Sequence, residues 1–245
     1  MHCQPGYKHK VYIWLKNNHT CLICDDPAQS PDCVCNACET ELPWLLEHCE
    51  VCALPLPMEG LICGQCQKHP PAFKQVIAPW TFSFPVDTLI TRFKHQARWP
   101  LGHLLGRLLG HYLRHRFENA ELTRPDCLLP VPMAAKRLRE RGYNQAQMLA
   151  RWLSDDLGIT VEEHLLLRPY ETVAQQALDA KTRQRNLRNA FALAPGAQVQ
   201  GRHFALVDDV LTTGATAHSL ARLLMGAGAR QVDVYCLART PKPGA

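Results

Sequence analysis

The sequence predicts an α/β fold, a parallel sheet flanked by helices, with a small cysteine-rich module on its N-terminal side. Three stretches predict it. His203–Asp233 (HFALVDDVLTTGATAHSLARLLMGAGARQVD) reads as strand, loop, helix and the start of another strand. Asp126–Pro132 (DCLLPVP) reads as a further apolar strand, followed by a basic stretch and a helix. Residues 17–70 follow neither pattern and carry most of the cysteines instead.

In the first stretch, the apolar run Phe204–Val207 ends in two acids, Asp208 and Asp209. After Thr212-Thr213-Gly214-Ala215-Thr216, helical spacing begins with Ala217, Leu220, Leu223 and Leu224, and Gly226 and Gly228 are stop signals. Val232, Val234 and Cys236 then alternate against Asp233 and Tyr235. Strands joined through a helix run parallel, and such sheets bind ligands beyond the carboxyl ends of their strands. The Asp pair and the Thr/Gly loop fall there. The free N–H groups of a helix start suit a phosphate; Gly214 admits close approach and the threonines offer hydroxyls. Two carboxylates repel that phosphate, and suit sugar hydroxyls or Mg²⁺ held through water. A phosphorylated sugar satisfies both halves. An acidic strand end before an N-capped helix would share some of these residues, but not the whole DD-x-x-TTG-x-T run. The loop is neither a Walker A motif nor a dinucleotide GxGxxG. It closely resembles the phosphoribosyl pyrophosphate (PRPP) loop of type I phosphoribosyltransferases. That resemblance implies that Asp208 and Asp209 hold the ribose, as catalytic residues in an active enzyme, and that Thr212, Thr213, Gly214, Ala215 and Thr216 bind the 5-phosphate.

The totals agree with one ordinary domain plus a small appendage: 245 residues, 47% hydrophobic and 20% charged. That composition argues against wholesale disorder. A net charge of +5 is compatible with anionic ligands without implying nucleic acid. No stretch is long and apolar enough to span a membrane, the start lacks the apolar core of a secretory signal, and cytoplasm is the expected location. Residues 1–16 read as an extension outside the organised pattern.

Ten of the 12 cysteines precede residue 70. Eight form four Cys-x-x-Cys pairs: Cys21/Cys24, Cys35/Cys38, Cys49/Cys52 and Cys63/Cys66. The unit C-x2-C-x10-C-x2-C thus occurs twice, opening at Cys21 and again at Cys49. Each copy supplies the four thiolates of a tetrahedral structural zinc, and two intervening residues let both sulfurs of a pair face one ion. Disulfides are the main alternative, disfavoured in a reducing compartment; a redox Cys-x-x-Cys normally occurs singly beside a thioredoxin-like βαβ. Tandem pairing of the four pairs is simplest, and cross-brace pairing is equally allowed by count. The module is poor in apolar residues and is expected to need metal to fold. Acids abound in it (Asp25, Asp26, Asp32, Glu39, Glu41, Glu47, Glu50, Glu59), so a broad phosphate-binding face is not evident. Packing on the other domain or contact with a protein partner fits as well. Cys127 and Cys236 read as core residues.

After Pro70-Pro71, Phe73–Phe84 alternates as a strand or hairpin, and Val86–Lys94 reads as a helix with Lys94 at its end. Leu101–Phe117 is amphipathic, with His103, His111 and His115 on its polar face. The stretch after the Asp126 strand, Lys136 to Gln145, reads as a basic loop whose Arg137, Arg139 and Arg141 could neutralise a pyrophosphate; a solvated charge run is the alternative. Thr172-x-x-Gln175-x-x-Leu178 and Arg183-x-x-Asn186 read as a flap over the ligand or as an exposed helix.

LLPVPMAAKRLRERGYNQAQMLA, T-x-x-Q-x-x-L, R-x-x-N before Ala190-Phe191, and LVDDVLTTGAT occur here in the order seen in the ComF/GntX family, which the chain resembles over about residues 20–240. These are phosphoribosyltransferase-like proteins of competence and external DNA use, with a Cys-x-x-Cys front module. The resemblance implies a zinc-binding module at 17–70 and a type I phosphoribosyltransferase-like domain at 71–241. It implies structural Zn, Mg with PRPP, Lys94 beside Arg137, Arg139 and Arg141 at the pyrophosphate, and a flap bearing Gln175, Arg183 and Asn186. Three functions stay open: a protein binding PRPP or a related sugar phosphate in DNA uptake or catabolism; an active phosphoribosyltransferase of nucleotide salvage; and a zinc-dependent adaptor with a vestigial pocket. Single-stranded DNA or a DNA-uptake protein is the expected partner.

Overall fold

The unbroken apolar runs CLLP and HFALV suit strands covered on both faces, and both lie in a parallel sheet between helices. The computed structural model describes residues 19–28, 30–169 and 190–242. It falls into two units, one ending at Leu42 and the other beginning at Pro43.

In the first unit β1 (His19–Thr20) pairs antiparallel with β2 (Pro27–Ala28), and α1 (Asn36–Thr40) follows. The Cys35 sulfur caps α1 by accepting the Cys38 N–H.

The second unit opens with α2 (Gly64–Lys68), β3 (Val76–Ile77) and β4 (Trp80–Thr81). Then come α3 (Val86–Gln96), α4 (Trp99–Glu118), β5 (Cys127–Pro130), α5 (Ala135–Arg141) and α6 (Gln145–Leu157). The strands β6 (Leu166–Leu167) and β7 (Ala192–Leu193) form a small antiparallel pair. Last come β8 (His203–Leu211), α7 (Ala215–Gly226) and β9 (Gln231–Arg239). The main sheet has the order β3-β9-β8-β5, every pair parallel, with β4 also on β9.

The unit β8-α7-β9 is the predicted crossover. Leu220, Ala221 and Leu224 of α7 share a core with Phe204, Leu206 and Val234. On α4 the stripe Leu101, Leu104, Leu105, Leu108, Leu109, Leu113 is buried, and the helix packs against α3 and α6. The polar-face histidines serve locally: His103 meets the Trp152 ring edge-on at 5.3 Å, and His115 bonds Asn119.

Three details differ from the sequence reading. The alternating run Phe73–Phe84 is no hairpin, because both its strands lie parallel to β9 in one continuous register (Val76↔Val234, Trp80↔Ala238). Pro79, which has no N–H, separates them. The basic stretch is not a loop but the helix α5, with no buried residue and so no apolar stripe to announce it; Gly142 ends it at φ 83°. Asp233 and Tyr235, expected opposite an apolar face, are themselves buried, since β9 lies inside the sheet. His203 Nε2 meets Asp233 Oδ2 at 2.9 Å, and Gln231 donates to both Asp233 oxygens. Cys127 and Cys236 are core residues; burial pushes the Cys127 thiol up to about 11 and the Cys236 thiol up as well. The stretch carrying Gln175, Arg183 and Asn186, and residues 1–16, lie outside the described residues.

Candidate functional site

Asp208 and Asp209 sit near the carboxyl end of β8, Asp209 buried and Asp208 partly so. The Asp209 N–H donates to Asp208 Oδ1 at 2.9 Å. Lys94, in the last turn of α3, reaches Asp209 Oδ1 at 2.8 Å. The other oxygen, Asp209 Oδ2, is buried without a hydrogen-bond partner among the described residues. A buried carboxylate oxygen in that state is costly unless a ligand group completes it. Burial, then the charge of Asp209, pushes the Asp208 carboxyl up to about 7, against the pull of the Asp209 N–H and Lys94.

These groups line a cavity of about 900 Å³ together with Arg137, Arg141 and Thr216. Arg141 Nη1 donates to Gln145 Oε1 at 2.5 Å. The turn beneath is fixed by Asn144, which donates to the Val131 carbonyl and accepts the Ala146 N–H to start α6. Arg139 is not among the lining residues. Tyr143 and Arg168 are; Tyr143 lies in the quoted LLPVPMAAKRLRERGYNQAQMLA run without a role of its own, and no motif pointed to Arg168. The Tyr143 hydroxyl donates to the Phe93 carbonyl, tying the turn after α5 to α3; burial pushes its phenol upward. Carboxylates and cations lining one cavity suit a ligand that carries both hydroxyls and anionic groups. The two carboxylates, one oxygen still unpartnered, are the donor type a hydrated Mg²⁺ takes.

The Thr/Gly loop divides between two cavities. Thr216 faces the acid-lined one, while Thr212, Thr213, Gly214 and Ala215 line a second, of about 810 Å³, beside Cys52, Cys63, Cys66 and Arg239. Gly214 caps α7 with φ 74°, a conformation that favours glycine.

The cysteines fall into two sets, Cys21, Cys24, Cys35, Cys38 and Cys49, Cys52, Cys63, Cys66, with all four sulfurs of each set within 4.8 Å of one another. The pairing is tandem. The sets repeat each other in detail. Cys21 N–H donates to Asp26 O and Cys49 N–H to Leu54 O, both at 2.8 Å. Asp25 and Ala53, each just after the second cysteine of its set, are left-handed. Cys24–Cys35 and Cys52–Cys63 sulfurs are both 3.7 Å apart. That is far beyond the ~2 Å of a disulfide, and close to the ~3.8 Å edge of a tetrahedron with Zn–S bonds of ~2.3 Å. Burial disfavours the Cys21 thiolate, but the N–H groups of Cys35, Cys24 and Ile23 outweigh it and hold the thiol at about 7. Burial likewise opposes Cys49, and the N–H groups of Cys63, Cys52 and Val51 bring it to about 7. Burial and neighbouring sulfurs push Cys38 and Cys66 up. Both donor sets fit a metal ion such as zinc.

No family model matches the chain. Among solved structures, Bacillus subtilis glutamine PRPP amidotransferase matches at TM-score 0.37 and 22% identity, over 55% of this chain and 25% of that one. The purine phosphoribosyltransferase of Pyrococcus horikoshii also scores 0.37, at 17% identity over 58% and 76% of the two chains. Scores this low carry no weight for this chain. The sequence relatives do. The DNA utilization protein YhgH of Salmonella typhimurium is 34% identical over 221 residues, 90% of this chain and 96% of that protein. Competence protein F of Haemophilus influenzae is 34% identical over 207 residues, 84% and 90% of the two. Competence protein ComFC of Bacillus subtilis is 26% identical over 243 residues. With that identity sustained over nearly the full length of its relatives, the chain belongs to the ComF family of competence and DNA utilization proteins.

Proposed function

We propose that the protein binds PRPP or a closely related phosphorylated ribose in the acid-lined cavity and serves the uptake or catabolic use of external DNA from the cytoplasm. The observation that carries the reading is the carboxylate pair at the end of β8. Asp209 lines this cavity with Asp208, Arg137 and Arg141; it holds Lys94 with one oxygen, and its other oxygen is buried without a hydrogen-bond partner among the described residues. Asp208 and Asp209 would accept the ribose hydroxyls. The loop from Thr212 to Thr216, of which Thr216 lines this cavity and Thr212–Ala215 the other, would take the 5-phosphate on the N–H groups opening α7. Arg137 and Arg141, with Lys94, would face the pyrophosphate, while Arg139 is not among the residues lining the cavity; Gln175, Arg183 and Asn186 would cover it. Asp208 and Asp209 are also the residues that would hold Mg²⁺, which when bound supplies positive charge to the pyrophosphate. The names of the relatives support the DNA role. Single-stranded DNA or a DNA-uptake protein is the proposed partner. Residues 17–70 carry the metals and 71–241 the ligand, a functional division that need not follow the two units of the fold. No helix among the described residues is long and apolar enough to cross a membrane.

Cations and carboxylates in one cavity also favour a second reading, pentosyl transfer. The bond from C1 to pyrophosphate would break with its electron pair leaving toward Arg137 and Arg141. A base nitrogen would then bond C1, while fixed carboxylates offset the oxocarbenium-like charge. Calorimetric titration with PRPP and Mg²⁺ tests the shared claim. The intact protein should bind, and the Asp208→Asn/Asp209→Asn variant should not. Equal binding by both removes the pocket assignment, and pyrophosphate release with any base separates an enzyme from a binding protein.

A further inference from the structure

The carboxyl ends of β8 and β9 lie side by side, with Leu211 opposite Arg239. Arg239 is 6% exposed, although it is charged and ends the last strand. Its guanidinium spans two features that the sequence treats as separate. Nη1 donates to the carbonyls of Leu211 at 3.1 Å and Thr212 at 2.5 Å, where the strand becomes the Thr/Gly loop. Nε donates to the carbonyl of Cys52 at 2.9 Å, a member of the second thiol set. A guanidinium is a rigid planar fork, so displacing one acceptor redirects the other bonds.

The thiol end of this link is set by its own turn. Ala53 N–H donates to Cys49 O at 2.8 Å, and the Cys63 N–H reaches Cys49 Sγ at 3.3 Å. The turn is also tied to the sheet, through Val76 N–H to Val51 O at 3.0 Å. At the loop end, the Thr240 N–H donates to Leu211 O at 3.1 Å, and Phe73 and Leu211 approach Gly214. The cavity beside the loop is lined by Cys52, Cys63 and Cys66 together with Thr212–Ala215.

We propose that Arg239 is a positioning residue that makes the geometry of the phosphate-binding loop depend on metal in the second thiol set. Metal fixes the Cys52 carbonyl, the Cys52 carbonyl fixes the guanidinium, and the guanidinium fixes the carbonyls of Leu211 and Thr212, from which the loop's N–H groups are aimed. The proposal rests on the reading that Thr212–Thr216 takes a phosphate. Loss of metal at this set would loosen that hold without touching the carboxylates.

Four variants of the full chain test it: Cys66→Ser, Arg239→Met, Arg239→Lys and the Cys66→Ser/Arg239→Met double. Each is read by metal content, by ribose 5-phosphate titration and by hydrogen exchange of residues 208–216 without ligand. Cys66→Ser should lose one metal ion and weaken ribose 5-phosphate roughly tenfold, the size of one lost charge-assisted hydrogen bond. Arg239→Met should show the same loss and the same faster loop exchange while keeping its metal. Arg239→Lys, which retains the charge but not the fork, should recover part of the affinity. The double variant should be no weaker than either single one, because both cut the same link. No ribose 5-phosphate binding by the intact protein overturns the phosphate reading and this proposal together. Full affinity in a Cys66→Ser protein shown to lack that ion overturns this proposal alone, and so do losses that multiply in the double variant.

Discussion

Asp208 is a residue placed against its own chemistry. Burial and the neighbouring Asp209 charge raise its carboxyl from 3.8 to about 7. Below about pH 4 it is protonated whether the chain is folded or not. As pH rises from there toward 7, the unfolded chain releases the proton and the folded chain keeps it, so this residue's contribution to stability falls across that window. Above 7 both states are charged and the cost is constant. Asp208→Asn removes the cost while leaving the Lys94–Asp209 pair in place. The variant should therefore melt above the wild type at pH 8 and close to it at pH 4. A melting difference that does not grow with pH would contradict the assignment. A charge kept at a cost to folding is what the proposed ribose-binding role of Asp208 would require. Asp208 and Asp209 were readable because they close an apolar strand run, whereas Lys94 was pointed to by the family resemblance and not by its spacing. Arg239 and Arg168 were not readable, because each gains its place through strand pairing or folding far along the chain, which no local pattern encodes. Arg239 reads as the last polar residue of a strand, and only the register opposite Leu211 turns it inward.

At the scale of elements, patterns that report burial were legible and patterns that report partners were not. The stripe of α4 and the crossover β8-α7-β9 follow from spacing alone. The basic helix α5 buries nothing, so its periodicity was invisible, and Phe73–Phe84 could be read as a strand or a hairpin because alternation does not say which strand lies alongside. The join of α3 and α4 depends on a feature that periodicity also hides. A methyl group at Gly102 would lie 2.6 Å from the ring of Phe93, which is itself fully buried and stacked near Tyr143 and Trp152. Neither the ring nor the helix backbone can yield cheaply. Gly102→Ala should destabilise the protein by about 1–3 kcal/mol, the usual cost of overpacking a filled site. Because Lys94 follows Phe93 directly, the variant should also weaken PRPP binding. Unchanged denaturant midpoint and affinity would show that α3 and α4 can separate freely.

For the whole molecule, the sequence repeat C-x2-C-x10-C-x2-C supplies ligands for two metal sites, and the two thiol sets share the bond from the first cysteine N–H and the 3.7 Å sulfur spacing, although the Cys35 sulfur caps its helix and the Cys63 sulfur does not. What the repeat could not reveal is that the copies belong to different units, the first in the unit ending at Leu42 and the second in the unit starting at Pro43. Cys49, Cys63 and Cys66 form a small core with Leu54, and Ala53 joins the main core with Phe73 and Val76. The second set is therefore structural for the sheet-bearing unit. Residues ahead of it are part of that arrangement: Leu45 N–H donates to Pro79 O at 2.8 Å, and the Trp44 and Trp80 rings lie 5.6 Å apart. Without metal, four crowded thiols replace a site whose binding free energy in zinc-dependent peptides is on the order of 10–16 kcal/mol. Chelation should thus remove two ions per chain and lower the melting temperature of the sheet-bearing unit. It should also change the near-ultraviolet dichroism and emission of the tryptophans, with Trp44 and Trp80 the reporters nearest the second set in sequence. Restoring zinc should return all three. A chain proven metal-free by elemental analysis that keeps its melting temperature and tryptophan signals would show that the sulfur clusters carry no stability, and the second set would lose its place in the architecture of the ligand site.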